Sequence, residues 1–218
     1  MTSIGVRAVL AALAGVVVLG LTACGSVADA GTRVSPTTST SAQGSVPPAG
    51  SQAPADLVAA ADLADCPASD PTAAARDDGL PDLTLPCLGA GSAVRLAGLR
   101  GTPTIVNAWA AWCGDCRSEL GLFADLAGAA HGSVRLVGID VQDDPASALS
   151  LLRDAGVHYA SVRDDERRTQ VPLRWTGLPA TYFVDAAGVV TFVQRGAIRS
   201  ADQLRALVHD HLGVTVAP

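Results

Sequence analysis

The 218-residue sequence contains no lysine, and aromatic residues make up only 4% of it. All 15 basic residues are arginines, and 21 acidic residues bring the formal net charge to -6. Proteins that bind nucleic acids concentrate basic side chains on one face, which this composition does not favour. We therefore expect no nucleic-acid partner. Apolar residues reach 49%, enough for a folded core, so the composition excludes a fully disordered protein.

The longest stretch rich in apolar residues spans residues 8–23, directly after the basic residue Arg7. A membrane-spanning helix needs ~20 apolar residues, so this stretch is short for one. Its last residues, Leu-Thr-Ala followed by Cys24, resemble the lipobox of bacterial lipoproteins. The pattern predicts a signal peptide over residues 1–23 and a lipid on Cys24; the alternative is an uncleaved membrane anchor. Both interpretations place the remainder outside the cytoplasm, on the outer face of the cell membrane.

Few large apolar residues follow the signal, and residues 25–54 consist mainly of Gly, Ser, Thr, Ala and Pro. Such a segment buries too little surface to fold. We predict a disordered tether over residues 24–54 with a reach of roughly 30 Å. Residues 55–79 are assigned to an N-terminal extension and residues 80–218 to the folded domain.

The chain has only five cysteines, and they divide by role once Cys24 is assigned to lipid. An exported chain meets an oxidising compartment, where neighbouring thiols form disulfides. Three pairings of the remaining four cysteines are possible. The two-residue gap favours Cys113 with Cys116, which leaves Cys66 with Cys87 as a structural disulfide. The alternative for the second pair is two unrelated buried thiols.

Strand and helix patterns alternate from residue 80 onward. The predicted strands are a hairpin over 83–96 and runs over 104–109, 134–141, 158–162, 180–185 and 189–194. One predicted helix begins at the cysteines and runs to residue 130. The other predicted helices cover 145–155, 164–174 and 201–212. This alternation predicts an α/β fold with a central sheet.

Cys113 and Cys116 lie at a predicted helix start, where unpaired N–H groups and the positive end of the helix dipole stabilise a thiolate. A thiolate is the nucleophile in disulfide exchange. A Cys-x-x-Cys motif is also half of a zinc site, but none of the four histidines forms a second half-site at a matching spacing. The motif therefore predicts a redox-active disulfide and no metal.

Residues 104–119, TIVNAWAAWCGDCRSE, resemble the active site of extracytoplasmic thioredoxin-fold oxidoreductases of the TlpA, ResA and DsbE type. Residues 177–185, GLPATYFVD, with Gly188, look like the cis-proline loop and following hairpin of that family. The resemblance covers roughly residues 80–213. It implies a thioredoxin-like fold: a central mixed β-sheet flanked by helices, with an N-terminal hairpin and a TlpA-type insertion.

The resemblance also implies roles for individual residues. Cys113 would attack a partner disulfide and Cys116 would resolve the mixed disulfide. Pro179 would be cis and pack beside Cys113, leaving the backbone of Leu178 free to pair with a bound substrate strand. Trp112 would cover the disulfide on the side where substrate binds.

Three further positions bear on proton transfer and redox poise. Asn107 stands where thioredoxins themselves carry a buried aspartate, and it cannot titrate. Glu119 matches a family glutamate with a proton-transfer role; the alternative is an exposed first-turn acid that suits the helix dipole. Asp115 replaces a proline common in the family. Its charge opposes ionisation of the neighbouring thiol yet suits a helix N-terminus, so the redox direction stays open.

The resemblance implies a membrane-tethered thiol-disulfide oxidoreductase that acts on exported protein thiols or disulfides. It would be either a reductant of the cytochrome c maturation type or an oxidant, a monomer without cofactor that exchanges electrons with a membrane redox partner. One alternative is a copper-handling protein of the same fold, but such proteins resemble Cys-x-x-x-Cys with a distant histidine. Another is a binding lipoprotein without redox activity. A peroxidase of the peroxiredoxin type would require a threonine and proline leading to a lone cysteine, and that stretch is absent.

Overall fold

The computed structural model describes residues 53–217. The predicted signal peptide, Cys24 and all but the last two residues of the predicted tether lie outside the described residues. Between residues 53 and 217, no helix combines the length and apolar character needed to cross a membrane.

Helices and strands alternate through most of the described chain. The helices are α1 (Ala55–Ala61), α2 (Gly114–Ala130), α3 (Pro145–Asp154), α4 (Gln170–Leu173) and α5 (Ala201–Leu212). The strands are β1 (Thr84–Leu85), β2 (Val94–Arg95), β3 (Thr104–Trp109), β4 (Arg135–Val141), β5 (Ser161–Asp164), β6 (Ala180–Val184) and β7 (Val190–Arg195). A 3-10 turn, Leu96–Gly98, follows β2.

Five of the strands form one mixed sheet in the order β5-β4-β3-β6-β7. The pairs β3–β4 and β4–β5 are parallel, whereas β6 is antiparallel to both β3 and β7. Strands β1 and β2 pair separately as a short antiparallel ribbon. Every residue of β3 is buried, as expected for the central strand of a sheet covered on both faces. The predicted α/β class with a mixed central sheet is confirmed.

Side chains of β3 alternate between two apolar clusters, one on each face of the sheet. Ile105 and Trp109 join the cluster formed with α2 and α5. Val106 and Ala108 join the opposite cluster, which includes residues of the β1–β2 ribbon. Asn107 lies between Ile105 and Trp109 on the same face. The strand therefore directs one buried polar side chain toward α2.

The structure differs from the sequence prediction around β5. This strand begins at Ser161, three residues later than predicted, and the predicted helix over 164–174 is reduced to the four residues of α4. The carboxylate of Asp164 accepts hydrogen bonds from the backbone N–H groups of Arg168 and Thr169 at 2.8 Å each. These contacts stabilise a compact turn where the pattern predicted helix.

Candidate active site

Cys113 is the N-cap residue of α2, at the end of a short loop that leaves β3. Its backbone N–H donates to the carbonyl of Ala110 at 3.1 Å, and its sulfur accepts a hydrogen bond from Cys116 N at 3.2 Å. Cys113 and Cys116 are joined by a disulfide. Cys113 is 8% exposed and Cys116 is fully buried. Of the two sulfurs, a partner thiol can therefore approach Cys113 more readily.

The loop ahead of Cys113 is held by the segment between β4 and α3. The indole Nε1 of Trp112 donates to the carbonyl of Gln142 at 3.0 Å, and the backbone N–H of Ala111 donates to the carboxylate of Asp143. Trp112 remains 57% exposed despite this contact. Its ring is therefore available to a partner at the surface next to the disulfide.

Glu119 lies in the second turn of α2 and is fully buried, so the alternative of an exposed first-turn acid is wrong. One carboxylate oxygen accepts from Asn107 Nδ2 at 3.0 Å and the other from the backbone N–H of Ile198 at 2.8 Å. Burial raises the pKa of Glu119 to about 7, against the opposing effect of these hydrogen bonds. A carboxyl with this pKa exchanges protons near neutral pH.

Asn107 links Glu119 to β6. Its Nδ2 also donates to the hydroxyl of Thr181 at 3.0 Å, and the two residues are paired in the β3–β6 register. Within residues 53–217, the Asn107 Oδ1 atom is buried without a hydrogen-bond partner, as is the hydroxyl of Tyr159. Burial and the nearby Glu119 charge raise the pKa of Tyr159. A buried polar contact that contains one titratable carboxyl thus joins β3 to α2 and β6.

The Leu178–Pro179 peptide bond is cis, and it directly precedes β6. Because Ala108 pairs with Ala180, the start of β6 lies next to the C-terminal end of β3, from which the chain leads to Cys113. Leu178 is half-buried and packs against both apolar clusters. The register thus brings this loop to the same end of the central strands as the disulfide.

Asp115 follows Cys113 by two residues and points to solvent. One of its carboxylate oxygens lies 3.4 Å from Arg199 Nη2, and both side chains are more than half exposed. Ion pairs in such surroundings contribute little energy. The negative charge of Asp115 is therefore close to the disulfide in the sequence, and Arg199 neutralises it only weakly.

Cys66 and Cys87 are joined by a second disulfide, which lies away from the first. Cys87 forms a bridge with Val162 of β5, the edge strand two positions from β3. The backbone N–H of Cys66 donates to Ala90 at 3.2 Å. This disulfide fastens the N-terminal extension to the edge of the sheet. In the described part of the chain, no cluster of three His, Cys, Asp or Glu residues is placed to hold a metal.

Neither Asp140 nor Asp143 was singled out as a site residue from the sequence. Asp144 is the cap of α3: its carboxylate accepts from Ser147 N at 2.9 Å. Asp143 instead contacts the active-site loop. One signal was present in the sequence, because Asp140 is an acid within the otherwise apolar second half of β4.

The sequence profile described as the AhpC/TSA family matches residues 77–193, more than half of the chain, and this region includes both the Cys113–Cys116 motif and the cis-proline loop. The chain belongs to the AhpC/TSA family. The predicted resemblance to DsbE-type oxidoreductases is likewise confirmed by curated relatives and by solved structures within the same fold.

Two curated relatives are thiol:disulfide interchange proteins named DsbE. The protein from Pseudomonas fluorescens is 36% identical over 111 residues, which cover 50% of this AhpC/TSA chain and 61% of the relative. The protein from Escherichia coli is 34% identical over 98 residues, covering 44% and 51%. The chain thus spans about half to three fifths of the length of these relatives.

Solved structures support the thioredoxin-like fold. A secreted Mycobacterium tuberculosis disulfide oxidoreductase homologous to Escherichia coli DsbE matches with a TM-score of 0.53 and 26% identity, covering 59% of this chain and 96% of that one. A thioredoxin-family thiol:disulfide interchange protein from Chlorobium tepidum matches with a TM-score of 0.55 and 26% identity, covering 65% and 100%.

Proposed function

We propose that this protein is a membrane-tethered, extracytoplasmic thiol-disulfide oxidoreductase that exchanges disulfides with exported proteins. The observation that carries the proposal is the Cys113–Cys116 disulfide at the start of α2, with the buried carboxyl of Glu119 one helical turn beyond Cys116. A helix N-terminus stabilises a cysteine thiolate, and a carboxyl with a pKa of about 7 exchanges protons at neutral pH. The DsbE names of the relatives agree with this chemistry.

In the reducing direction, the thiolate of Cys113 attacks one sulfur of a partner disulfide. The partner S–S bond breaks, one partner thiolate leaves, and a mixed disulfide forms on Cys113. The thiolate of Cys116 then attacks the Cys113 sulfur and releases the second partner thiolate. Two electrons pass to the partner, and the Cys113–Cys116 disulfide is restored. The oxidising direction is the reverse of these steps.

We assign Glu119 as the group that accepts the proton of Cys116 when this thiol attacks. Cys116 is fully buried, so its proton needs an internal acceptor. The carboxyl is held by Asn107 and by the Ile198 N–H, neither of which titrates. These contacts keep the carboxyl oriented in both protonation states.

For the substrate, we propose that an extended segment pairs with the backbone of Leu178 beside cis-Pro179, with Trp112 contacting its flank. Within the part of the chain described by the structure, Leu178 makes no backbone hydrogen bond. Its N–H and carbonyl are therefore available for strand addition. The exposed ring of Trp112 supplies apolar contact area.

For the location, we propose that lipid on Cys24 anchors a monomer to the outer face of the cell membrane, with residues 24–54 as a tether. The lipobox-like sequence supports the anchor, and the secreted structural relative fits an extracytoplasmic site. A membrane redox partner would regenerate the active-site cysteines after each turnover. It would reduce them if the protein is a reductant of the cytochrome c maturation type, and oxidise them if the protein forms disulfides in exported proteins.

The test uses the full-length chain with a disulfide-containing peptide, or with its dithiol form, and follows turnover in each direction. We expect Cys113→Ser to abolish turnover and Cys116→Ser to accumulate the mixed disulfide with the peptide. The control is the double variant Cys66→Ser/Cys87→Ser, which should keep the exchange. Unchanged turnover in Cys113→Ser would refute the proposal, and the faster direction separates reductant from oxidant.

A further inference from the structure

Two acids, the buried Asp140 and the half-buried Asp143, lie next to the loop that precedes the active-site cysteines. Asp140 is 1% exposed and pairs with Trp109 in the β3–β4 register. The neighbouring Asp143 contributes to raising the pKa of the Asp140 carboxyl, after the larger effect of burial. In the described chain, Asp140 Oδ1 is buried without a hydrogen-bond partner. A buried carboxyl next to another acid favours its neutral form, because two neighbouring negative charges repel each other.

The segment Gln142, Asp143 and Asp144, which we name the clasp, contacts the active-site loop at two successive residues. The carboxylate of Asp143 accepts from the backbone N–H of Ala111 and, at 2.8 Å, from that of Asp144. The carbonyl of Gln142 accepts from the Trp112 indole at 3.0 Å. The clasp therefore fixes the two residues immediately before Cys113.

The Asp143 contact is not needed to begin α3, because Asp144 already caps that helix. Nor is the acid pair an ordinary ion pair. Arg163, which pairs with Asp140 in the β4–β5 register, hydrogen-bonds instead to Asp165 at 2.7 Å. Burial of unpaired carboxyls costs stability. A role in holding the active-site loop would account for the presence of these acids despite their cost in stability.

The charged groups around the pair come from several elements. Arg163 and Asp165 act on Asp140 from the β5 side, and Asp144 acts on Asp143 from the start of α3. Arg117 of α2 and Asp154 of α3 line the same surface groove as Asp143. Burial raises the pKa of both Asp140 and Asp143, and their mutual contact adds to the rise at Asp140.

We propose that Asp143, next to the carboxyl of Asp140, is a positioning residue that orients Ala111 and Trp112 for the approach of substrate to Cys113. This inference rests on the proposed function. The clasp is strongest when Asp143 is ionised and Asp140 is neutral. At lower pH, Asp143 takes up a proton and accepts more weakly from Ala111. At higher pH, Asp140 loses its proton and the two anions repel.

The test compares Asp143→Asn with the charge-matched control Asp144→Asn in the full-length chain. Asparagine offers one acceptor oxygen to the two backbone donors that Asp143 satisfies, whereas it is a good N-cap at position 144. We expect Asp143→Asn to lower kcat/KM for a disulfide peptide by about tenfold, since misplacement of a reacting loop is costly. Its pH profile should lose an acid-side step that Asp144→Asn retains.

Two further measurements keep the proposal falsifiable. Hydrogen exchange of the Ala111 amide, followed by NMR, should be faster in Asp143→Asn and unchanged in Asp144→Asn. Asp140→Asn, whose side chain stays neutral at every pH, should keep wild-type kcat/KM near neutrality and lose the alkaline decline. This variant carries the test if Asp143→Asn does not fold.

Wild-type pH profiles and Ala111 exchange in both variants would overturn the positioning role. So would a loss of stability in Asp143→Asn with an unchanged pH profile, because that result indicates a structural role alone. Absence of turnover in the wild-type chain would refute the proposed function, while Ala111 exchange would still test the clasp.

Discussion

The side-chain amide of Asn107 donates a 3.0 Å hydrogen bond to the carboxylate of Glu119, joining the central strand to the helix that begins beside Cys113. Asn107 cannot take up a proton, so Glu119 is the titratable member of this contact. Asn107 Oδ1 has no partner within residues 53–217. Rotation of the Asn107 amide would therefore let Oδ1 accept a hydrogen bond from position 119, either from a protonated Glu119 or from the amide of Glu119→Gln.

The first prediction concerns the stability of Glu119→Gln as a function of pH. Burial raises the pKa of Glu119 from 4.5 to about 7 in the folded chain, so the folded state binds more protons than the unfolded state between these values. The free energy of unfolding therefore falls as pH rises through this window, by on the order of 3 kcal/mol. Glu119→Gln should remove this contribution to the decline and be more stable than the wild type at pH 8.

Denaturant unfolding at several pH values measures this effect. The control is Glu166→Gln, which changes the other glutamate of the chain, an exposed residue, and should retain the decline. Wild-type pH dependence in Glu119→Gln would contradict the assigned cause. Glu119→Gln should also slow the attack of Cys116 on the mixed disulfide at Cys113, because glutamine cannot accept the thiol proton.

A second prediction concerns the redox effect of Asp115 and Arg199. The carboxylate destabilises a thiolate on the neighbouring Cys113 in the reduced protein, whereas Arg199, 3.4 Å away, offsets part of its charge. Asp115→Asn should raise the reduction potential and Arg199→Ala should lower it. Both groups are exposed, so each shift should be on the order of 10 mV.

Equilibration with glutathione buffers at low and at high salt measures these potentials. The difference between each variant and the wild type should shrink at high salt, because exposed charges are screened. Equal shifts of the same sign in both variants would show that charge at this site is not the cause.

Local sequence patterns predicted the helices and strands whose structure depends mainly on residues close together in the sequence. The buried run that forms β3 and the apolar spacing of α5 are readable from neighbouring residues alone. The turn that reduces α4 was not, because it depends on Asp164 accepting from residues four and five positions later. Burial of Glu119 was not predictable from spacing either, since it depends on packing against the segment around Ile198. The clasp joins residues 32 positions apart.

The third prediction concerns the proposed lipid anchor. If Cys24 carries the lipid, Cys24→Ala should abolish lipid labelling and either block removal of the signal or release the protein from the membrane. Membrane fractionation with metabolic lipid labelling measures both effects. Inhibition of the lipoprotein signal peptidase should produce the unprocessed wild-type chain. An unlabelled wild type whose processing ignores that inhibitor would show that the signal was misinterpreted.

The fourth prediction concerns the contribution of the Cys66–Cys87 disulfide to stability. This disulfide joins residues 21 positions apart, whereas the Cys113–Cys116 disulfide joins residues three apart. In the loop-closure model, the longer loop contributes about 3 kcal/mol and the shorter one about 2 kcal/mol. Cys66→Ser/Cys87→Ser should therefore lower the free energy of unfolding more than Cys113→Ser/Cys116→Ser does. Equal losses in the two double variants would contradict the structural role.

The same contrast predicts the order in which the two disulfides open. Backbone hydrogen bonds from Cys66 to Ala90 and from Leu88 to Ser161 hold the longer loop on the sheet edge. The active-site pair must open in every cycle, whereas a structural disulfide resists reduction. A graded dithiothreitol titration, with alkylation and peptide mass mapping, should label Cys113 and Cys116 first. Simultaneous labelling of all four cysteines would instead indicate a second redox-active pair at the edge of the sheet, because a structural disulfide stays closed under conditions that open a catalytic one.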